Sequence, residues 1–497
     1  MLRNVGSTWV LTLVTIVVTY ALTPFVIHTL GGEGYGTWTL ITAMTGYMGL
    51  LALGVPMASV RYLAQHVAEG DVRKTNQTIA SCAGLYLMIS GAACLIGVGL
   101  IGLFVLAYDI PSSLRAEARL AFALMTLQVS AGFIGLLPEG ILLAHHHFVL
   151  RNLIRLAGLL LRLGLTIGLL TLDASLVMLA LVQTVCLAFD FGVSWLLIRR
   201  RYPGIRLGLR GFEWATVRRI FSFSLYVFLL TAGARLTFET DALVIGAFMG
   251  VGAIAFYAVA NSIVVYLMEF IVAIAAVVAP MATKLHTEGK PADLREVFLK
   301  WSKVAVSLTL MVGLFLITLG PQFIGWWIGP SFEGPAGSVL QILMLSSFVF
   351  LPVRGVAQPI LIGLGKPRLP AVAFLGTGVL NLVLSMLLVG PLGLTGVALG
   401  TAIPNVVFAA VILPAACREL QIGVATYLRY VVPRAALGAL PVLALLLWFR
   451  LGVQVHGVIG IATAGLAMVV LFGVTWVFFV YRNDPYVDLR GRFRARA

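Results

Sequence analysis

Charged residues are scarce in this chain, and a few of them stand where chemistry is plausible. Arg235, Glu239 and Asp241 lie close together in one apolar stretch, and Glu269 sits midway along the next. An ionisable group inside a hydrocarbon-spanning segment is costly, so it tends to pair, line a hydrated path or handle an ion. On a continuous helix, a spacing of four puts Arg235 and Glu239 on one face, where they can pair. Arg235 offers a planar fork of donors suited to phosphate. Glu239, Asp241 and Glu269 offer carboxylates able to take a proton or a sodium ion. Against this stands a plain alternative, in which the pair only locks two helices together. Four ionisable groups on two adjacent spans favour a substrate or ion site.

Other candidates come from a repeat. Pro56-Met57-Ala58-Ser59 with Arg61 recurs as Pro280-Met281-Ala282-Thr283 with Lys284. Leu137-Pro138-Glu139-Gly140 likewise resembles Leu351-Pro352-Val353-Arg354-Gly355. Glu139 and Arg354 therefore hold matching positions and are candidates for gate or coupling residues, or else for cytoplasmic helix ends. Pro56 and Pro280 are candidate hinges, each expected to close a long apolar helix. His145-His146-His147 resembles a metal tract, but consecutive helical residues diverge by about 100° and do not converge on one ion. Cys82, Cys94, Cys186 and Cys417 show no metal or redox spacing. No glycine-lysine nucleotide loop is present, which argues against ATP as a direct drive. The expectation is no cofactor beyond a coupling proton or sodium ion, and no metal.

The elements that position these residues follow from composition. The chain has 497 residues, of which 60% are hydrophobic and 11% charged. Soluble domains carry roughly 25% charged residues. Apolar stretches of about twenty residues recur throughout, and each is long enough for a hydrocarbon core of about 30 Å. The pattern lacks the alternation of a barrel, so the fold is an all-α polytopic membrane protein. About fourteen spans are predicted, the first from about Val5 to Thr29 and read as a span rather than a signal peptide. Gly164/Gly168, Gly246/Gly250 and Gly396/Gly400 permit close helix approach.

The net charge of +15 does not point to nucleic acid, because of where it falls. With the N-terminus inside, Arg73, Lys74, Arg151, Arg155, Arg199 to Arg201, Lys284, Lys290, Lys303, Lys366, Arg418 and Arg434 all lie on one side. That is a positive-inside signature with both termini cytoplasmic. The tail Arg490, Arg492, Arg494 and Arg496 suits anionic lipid. The expected organisation is a six-helix half over 1–200, a basic connecting loop over 201–216, a second six-helix half over 217–420, two additional helices over 421–482 and a basic tail over 483–497. Even numbers of spans per half make this a parallel pseudo-repeat.

The run Pro24-Phe25-Val26-Ile27-His28-Thr29-Leu30-Gly31-Gly32-Glu33-Gly34-Tyr35-Gly36-Thr37-Trp38 resembles the first loop of bacterial polysaccharide transporters. So does Asp241-Ala242-Leu243-Val244-Ile245-Gly246, followed by Tyr257-Ala258-Val259-Ala260. These are Wzx-type flippases of the multidrug/oligosaccharidyl-lipid/polysaccharide exporter (MOP) superfamily. The resemblance implies movement of an undecaprenyl-pyrophosphate-linked glycan from the cytoplasmic to the periplasmic leaflet. It implies alternating access in a bacterial cytoplasmic membrane, alongside glycosyltransferases and a polymerase of the same pathway. In that family the first, second, seventh and eighth helices line a central cavity. Arg61, Arg235, Glu239, Asp241 and Glu269 would then stand at its wall.

Three alternatives remain. A cation-coupled multidrug exporter would share the fold, but usually carries carboxylates in its N-terminal half, where the first three spans have none at mid-depth. A peptidoglycan-precursor flippase also needs arginines. A membrane glycan polymerase or ligase, the enzyme alternative, typically needs a sizeable outer loop. The largest outer connections here, around residues 108–116 and 329–335, are short. A transporter, not an enzyme, is expected.

Overall fold

The computed structural model describes residues 2–206, 208–223, 225–455 and 457–487, with side chains described for these except 2–6, 8, 9, 221–223 and 225–227. The basic tail from residue 488 onward, where a lipid contact was expected, lies outside the described residues. In the first part of the chain the helices are α1 (Leu2–Met48), α2 (Val55–Ala68), α3 (Val72–Ala107), α4 (Arg115–Ala144), α5 (Phe148–Leu172) and α6 (Leu176–Arg201). Next come α7 (Trp214–Phe223), α8 (Leu225–Phe238), α9 (Thr240–Met249), α10 (Val251–Val272) and α11 (Ala275–Thr287). The remainder is α12 (Pro291–Trp327), α13 (Pro330–Pro352), α14 (Gln358–Gly363), α15 (Arg368–Glu419), α16 (Val424–Val431), α17 (Pro433–Trp448) and α18 (Gly457–Thr475).

Among the described residues, 11 helical stretches are long and apolar enough to cross a membrane. Two of them each hold two of the predicted spans. In α1 the chain turns sharply at Gly31 (φ 73, ψ 172), and in α15 at Gly393 (φ 57, ψ −136). Both conformations are ones that a Cβ disfavours, so glycine makes a kink where a loop was expected. The predicted seventh span is divided among α7, α8 and α9. The apolar stretches thus contain all or most of every predicted span but the seventh, whose residues form three shorter helices.

The chain forms two compact units: Met1–Arg235 with Ile245–Ala255, and Leu236–Val244 with Phe256–Ala497. The first unit packs around Met48, Val55, Leu63, Ile79, Tyr86, Phe133, Ile141 and Ile220. Glycines let its helices approach closely. A Cβ at Gly97 would lie 2.2 Å from Thr126 Cγ2, and one at Gly36 would lie 1.9 Å from the Val251 carbonyl oxygen.

In the second unit, α12 and α13 meet at Gly337, where a Cβ would lie 2.7 Å from Pro321 Cβ. The two additional helices α17 and α18 pack on α12 through Leu314, Leu319, Val442, Leu446, Met468, Phe472 and Trp476. A buried ion pair joins α12 to the segment that follows the last helix. Lys303 and Asp484 bond directly, with side chains 1% and 0% exposed. Tyr430 donates to Asp484 Oδ1 at 2.8 Å, and Lys303 stands 4.7 Å from the Tyr430 ring centroid. Lys303 was expected on the solvated basic side. It is instead a core cation, because Asp484 and two tyrosine rings enclose it.

Spans two and eight break at corresponding places. The backbone leaves helical geometry at Leu53 (φ 50) and Gly54 (φ 74) before α2, and a turn at residues 273–274 separates α10 from α11. Pro56 therefore opens α2 rather than closing the helix before it, and Pro280 lies inside α11. Proline suits the first turn of a helix because its missing N–H has no partner there anyway.

Candidate functional site

Asp241 stands in the first turn of α9 and is 1% exposed. Its carboxylate draws partners from α10 and α15. Tyr257 Oη donates to Oδ2 at 2.5 Å, and Thr401 Oγ1 donates to the same oxygen at 2.8 Å. Ser385 Oγ reaches Oδ1 at 3.4 Å. Behind them, Asn381 Nδ2 donates to Thr401 Oγ1 at 2.8 Å, and Tyr257 Oη and Thr401 Oγ1 are 3.1 Å apart. Asn381 Oδ1 is buried with no hydrogen-bond partner among the described residues.

Every one of these partners is neutral. A buried carboxylate without a cation is expensive in its ionised form. Two things relieve it: a proton on the carboxylate, or a small hard cation among the oxygens. The oxygens of Asp241, Thr401, Ser385 and Asn381, with the Tyr257 hydroxyl, are the hard donor type that sodium prefers over soft ligands. Gly400 keeps α15 tight here, since a Cβ would fall 2.3 Å from Ser385 Oγ. Among the described residues no cluster of three or more His, Cys, Asp or Glu forms a metal site.

Sequence reasoning found Asp241 but missed its ring. Tyr257 lay within the motif that carried the resemblance, without a role. Asn381 and Ser385, four apart on an apolar span, are the signal that could have pointed to this face of α15. Thr401 follows one further apolar stretch along.

Arg354 lies in a π-helical turn, Val353–Ala357, between α13 and α14. Three aromatic rings surround its guanidinium: Phe374 at 4.5 Å, Phe238 at 5.9 Å and Phe350 at 6.0 Å. Among the described residues its one hydrogen bond is a long one, Nη1 to Gln358 Oε1 at 3.4 Å, and its Nε is enclosed without a partner. The stretch Pro330–Gly363 has 34 residues. At 1.5 Å per residue it is about 51 Å long, and Arg354 is about 14 Å from its Gly363 end.

Its repeat partner Glu139 is different. Arg151 Nε donates to Glu139 Oε1 at 2.7 Å, and Arg155 Nη2 donates to the same oxygen at 2.9 Å. Glu139 is a clamp between α4 and α5.

The remaining predicted residues are placed as follows. Arg235, near the end of α8, accepts a hydrogen bond on its carbonyl from Tyr47 Oη at 3.1 Å. Its Nη2 lies 3.6 Å from where a Cβ of Gly49 would be, so the guanidinium rests on the broken segment of the second span. Glu239 falls at a turn between α8 and α9. The single helix on which a shared face with Arg235 was expected is interrupted there. Glu269 on α10 and Arg61 on α2 are both exposed, and neither is among the hydrogen-bond partners of Asp241. His147 Nε2 and Tyr202 Oη are 2.5 Å apart, which makes the histidine run a packed helix end.

Outside the spans, Asp484 shows the one shift with a structural consequence. Burial pushes its carboxyl up, but the Lys303 hydrogen bond, the Tyr486 backbone N–H and the Tyr430 hydroxyl outweigh it and leave the group below its ordinary value.

Comparisons with known proteins agree with this architecture. A family model described as polysaccharide biosynthesis protein matches residues 1–286. The membrane protein EpsK of Bacillus subtilis, itself uncharacterised, is 22% identical over 404 residues, covering 79% of this chain and 78% of its own. A Shigella flexneri protein named as a candidate O-antigen transporter is 22% identical over 392 residues, covering 76% of this chain and 88% of its own. Among solved structures, the lipid II flippase MurJ in an inward closed conformation superposes with TM-score 0.74 at 13% identity, over 95% of this chain and 99% of that one. An inward-facing multidrug transporter of the MATE family gives TM-score 0.70 at 19% identity, over 81% and 94%. At these identities the structural likeness defines the fold alone, while the family model spans more than half of the sequence. The chain therefore belongs to the polysaccharide biosynthesis protein family, and its helices take the fold seen in the MATE and MurJ structures.

Proposed function

We propose that this transporter is a flippase for a polyprenyl-pyrophosphate-linked oligosaccharide, moving it from the cytoplasmic to the outer leaflet by alternating access and drawing energy from a proton or sodium ion bound at Asp241. The glycan class rests on the family and on the relative named for O-antigen transport. The carrying observation for the ion is the buried Asp241, held by neutral hydroxyl donors. A carboxylate so placed is relieved by loading an ion and burdened by losing it, which is what a coupling site requires. The placement in a bacterial cytoplasmic membrane with both termini inside follows the positive-inside distribution. Partners of the pathway, such as glycosyltransferases and a polymerase, belong to the same proposal.

The test is a leaflet assay. The full chain is reconstituted in vesicles with a fluorescent polyprenyl-diphosphate oligosaccharide, and a pH or sodium gradient is imposed. Gradient-dependent movement of the lipid supports the proposal. Gradient-dependent export of a cationic dye, with no movement of the lipid, would instead support the multidrug reading. Movement of lipid II in preference to other glycans would support the peptidoglycan-precursor reading.

A further inference from the structure

Every described contact of Arg354 leaves its charge uncompensated. Its rings offer cation–π attraction, but stacking alone offsets only part of the desolvation of a guanidinium. Its hydrogen bond to Gln358 is long, its Nε has no partner, and no carboxylate pairs with it among the described residues. The wide turn that holds it is itself rigid, because Gly355 packs on α10, where a Cβ would lie 3.1 Å from the Ile271 carbonyl oxygen. A π-turn of this kind marks functional positions more often than chance helix distortion does. What the group lacks is an oxyanion with two acceptors at the spacing of its fork. A phosphate has that geometry.

The cage is built from the same pieces of chain as the Asp241 cluster. Phe238, one wall of the cage, is just upstream of Asp241, on the other side of the break at Glu239. Phe374, the nearest ring, and Asn381, which supports Thr401, lie on one face of α15 about two turns apart, or roughly 10 Å of rise. The short segment from Phe238 to Asp241 and this face of α15 thus touch both centres.

We propose that Arg354 is a receptor for a phosphate-bearing anion, and that its occupancy is linked to the loading of Asp241 through the Phe238–Asp241 segment and the Phe374–Asn381 face of α15. It rests on the proposed function in taking the anion to be the diphosphate of the lipid-linked glycan. The sign follows from charge. Loading Asp241 with a proton or cation removes a negative charge from the neighbouring layer and tightens the anion at Arg354. Linkage makes the effect reciprocal, with the anion tightening the ion by the same factor.

The first experiment needs no substitution. Purified full-length protein in lipid nanodiscs is treated with phenylglyoxal, and modification of Arg354 is followed by peptide mass spectrometry. Polyprenyl diphosphate should slow the modification about fivefold or more, whereas the uncharged polyprenol should not. Protection by inorganic pyrophosphate as well would make the phosphate alone sufficient; protection by the lipid form only would assign the site to the lipid-linked headgroup. The second experiment measures the Kd for polyprenyl diphosphate. Arg354→Gln should weaken it about tenfold or more, with Arg354→Lys intermediate. Asp241→Asn should tighten it in the wild-type background and have no effect in Arg354→Gln. An unprotected Arg354 in a protein that binds and moves polyprenyl diphosphate would overturn this inference and leave the proposed function standing. Failure of the wild-type protein to bind any polyprenyl diphosphate would overturn both.

Discussion

Tyr257 donates a 2.5 Å hydrogen bond to Asp241, and among the described residues no lysine or arginine partners that carboxylate. The aromatic hydroxyl is thus the tightest support of a buried acid within a lipid-spanning fold. The relationship ties α9 to α10 and, through Thr401, to α15. It also gives the ion-coupling proposal a target that can be altered by single atoms.

Asp241→Asn keeps the shape and removes the charge. Transport should fall to the rate seen without any gradient, while the protein stays folded. Tyr257→Phe removes one donor to the ionised carboxylate and should leave a folded protein that releases its ion less readily and so turns over more slowly at the same gradient, at a cost of about 1–3 kcal/mol in the unloaded state. Flux measured against gradient size checks both. Normal gradient dependence in Asp241→Asn would remove the ion site from this position.

The Lys303–Asp484 pair should anchor the two additional helices. Lys303→Met strands a buried carboxylate and should destabilise that docking by about 3–5 kcal/mol, whereas Lys303→Met with Asp484→Leu should recover most of it. The folded carboxyl sits below its ordinary value, so its contribution is full above about pH 3.9, the unfolded value, and is lost only as pH falls through the lower folded value. Thermal unfolding of the single and double variants, followed between pH 3 and pH 7, checks this. A transition near neutral pH would contradict it.

Much of the fold could be read directly from residue type. Apolar run lengths yielded the long helices, though not the three-part seventh, and the paired motifs at Pro56 and Pro280 marked spans that do break at corresponding places. The register of those breaks was not legible, because Leu53 and Gly54 leave the helix before Pro56 acts. Asp241 was visible as an acid in an apolar run. Its partners were not, because Tyr257, Asn381, Ser385 and Thr401 are common residues whose convergence is decided by helix packing. Lys303 misled for a related reason: a basic residue near a basic loop looks solvated until its distant partner Asp484 is known.

Arg235 rests on the Gly49 segment. If it serves the diphosphate, Arg235→Ala should abolish glycan export in a folded, inserted protein, and Arg235→Lys should keep part of it, since lysine retains a charge without the fork. Export normalised to folded protein checks this. Wild-type export by Arg235→Ala would exclude the role.

Orientation has its own test. In a background with Cys82, Cys94, Cys186 and Cys417 replaced by serine, cysteines introduced at Gly32 and at Arg200 should differ. A membrane-impermeant thiol reagent added from outside should label position 32 and spare position 200. The opposite pattern would invert the topology.

The most direct measurement of the central claim is gradient-driven flipping of a fluorescent polyprenyl-diphosphate oligosaccharide by the reconstituted full chain. Movement should rise with an imposed proton or sodium gradient and collapse to the gradient-free rate in Asp241→Asn. Movement of that lipid at the same rate with and without either gradient, unchanged in Asp241→Asn, would contradict it.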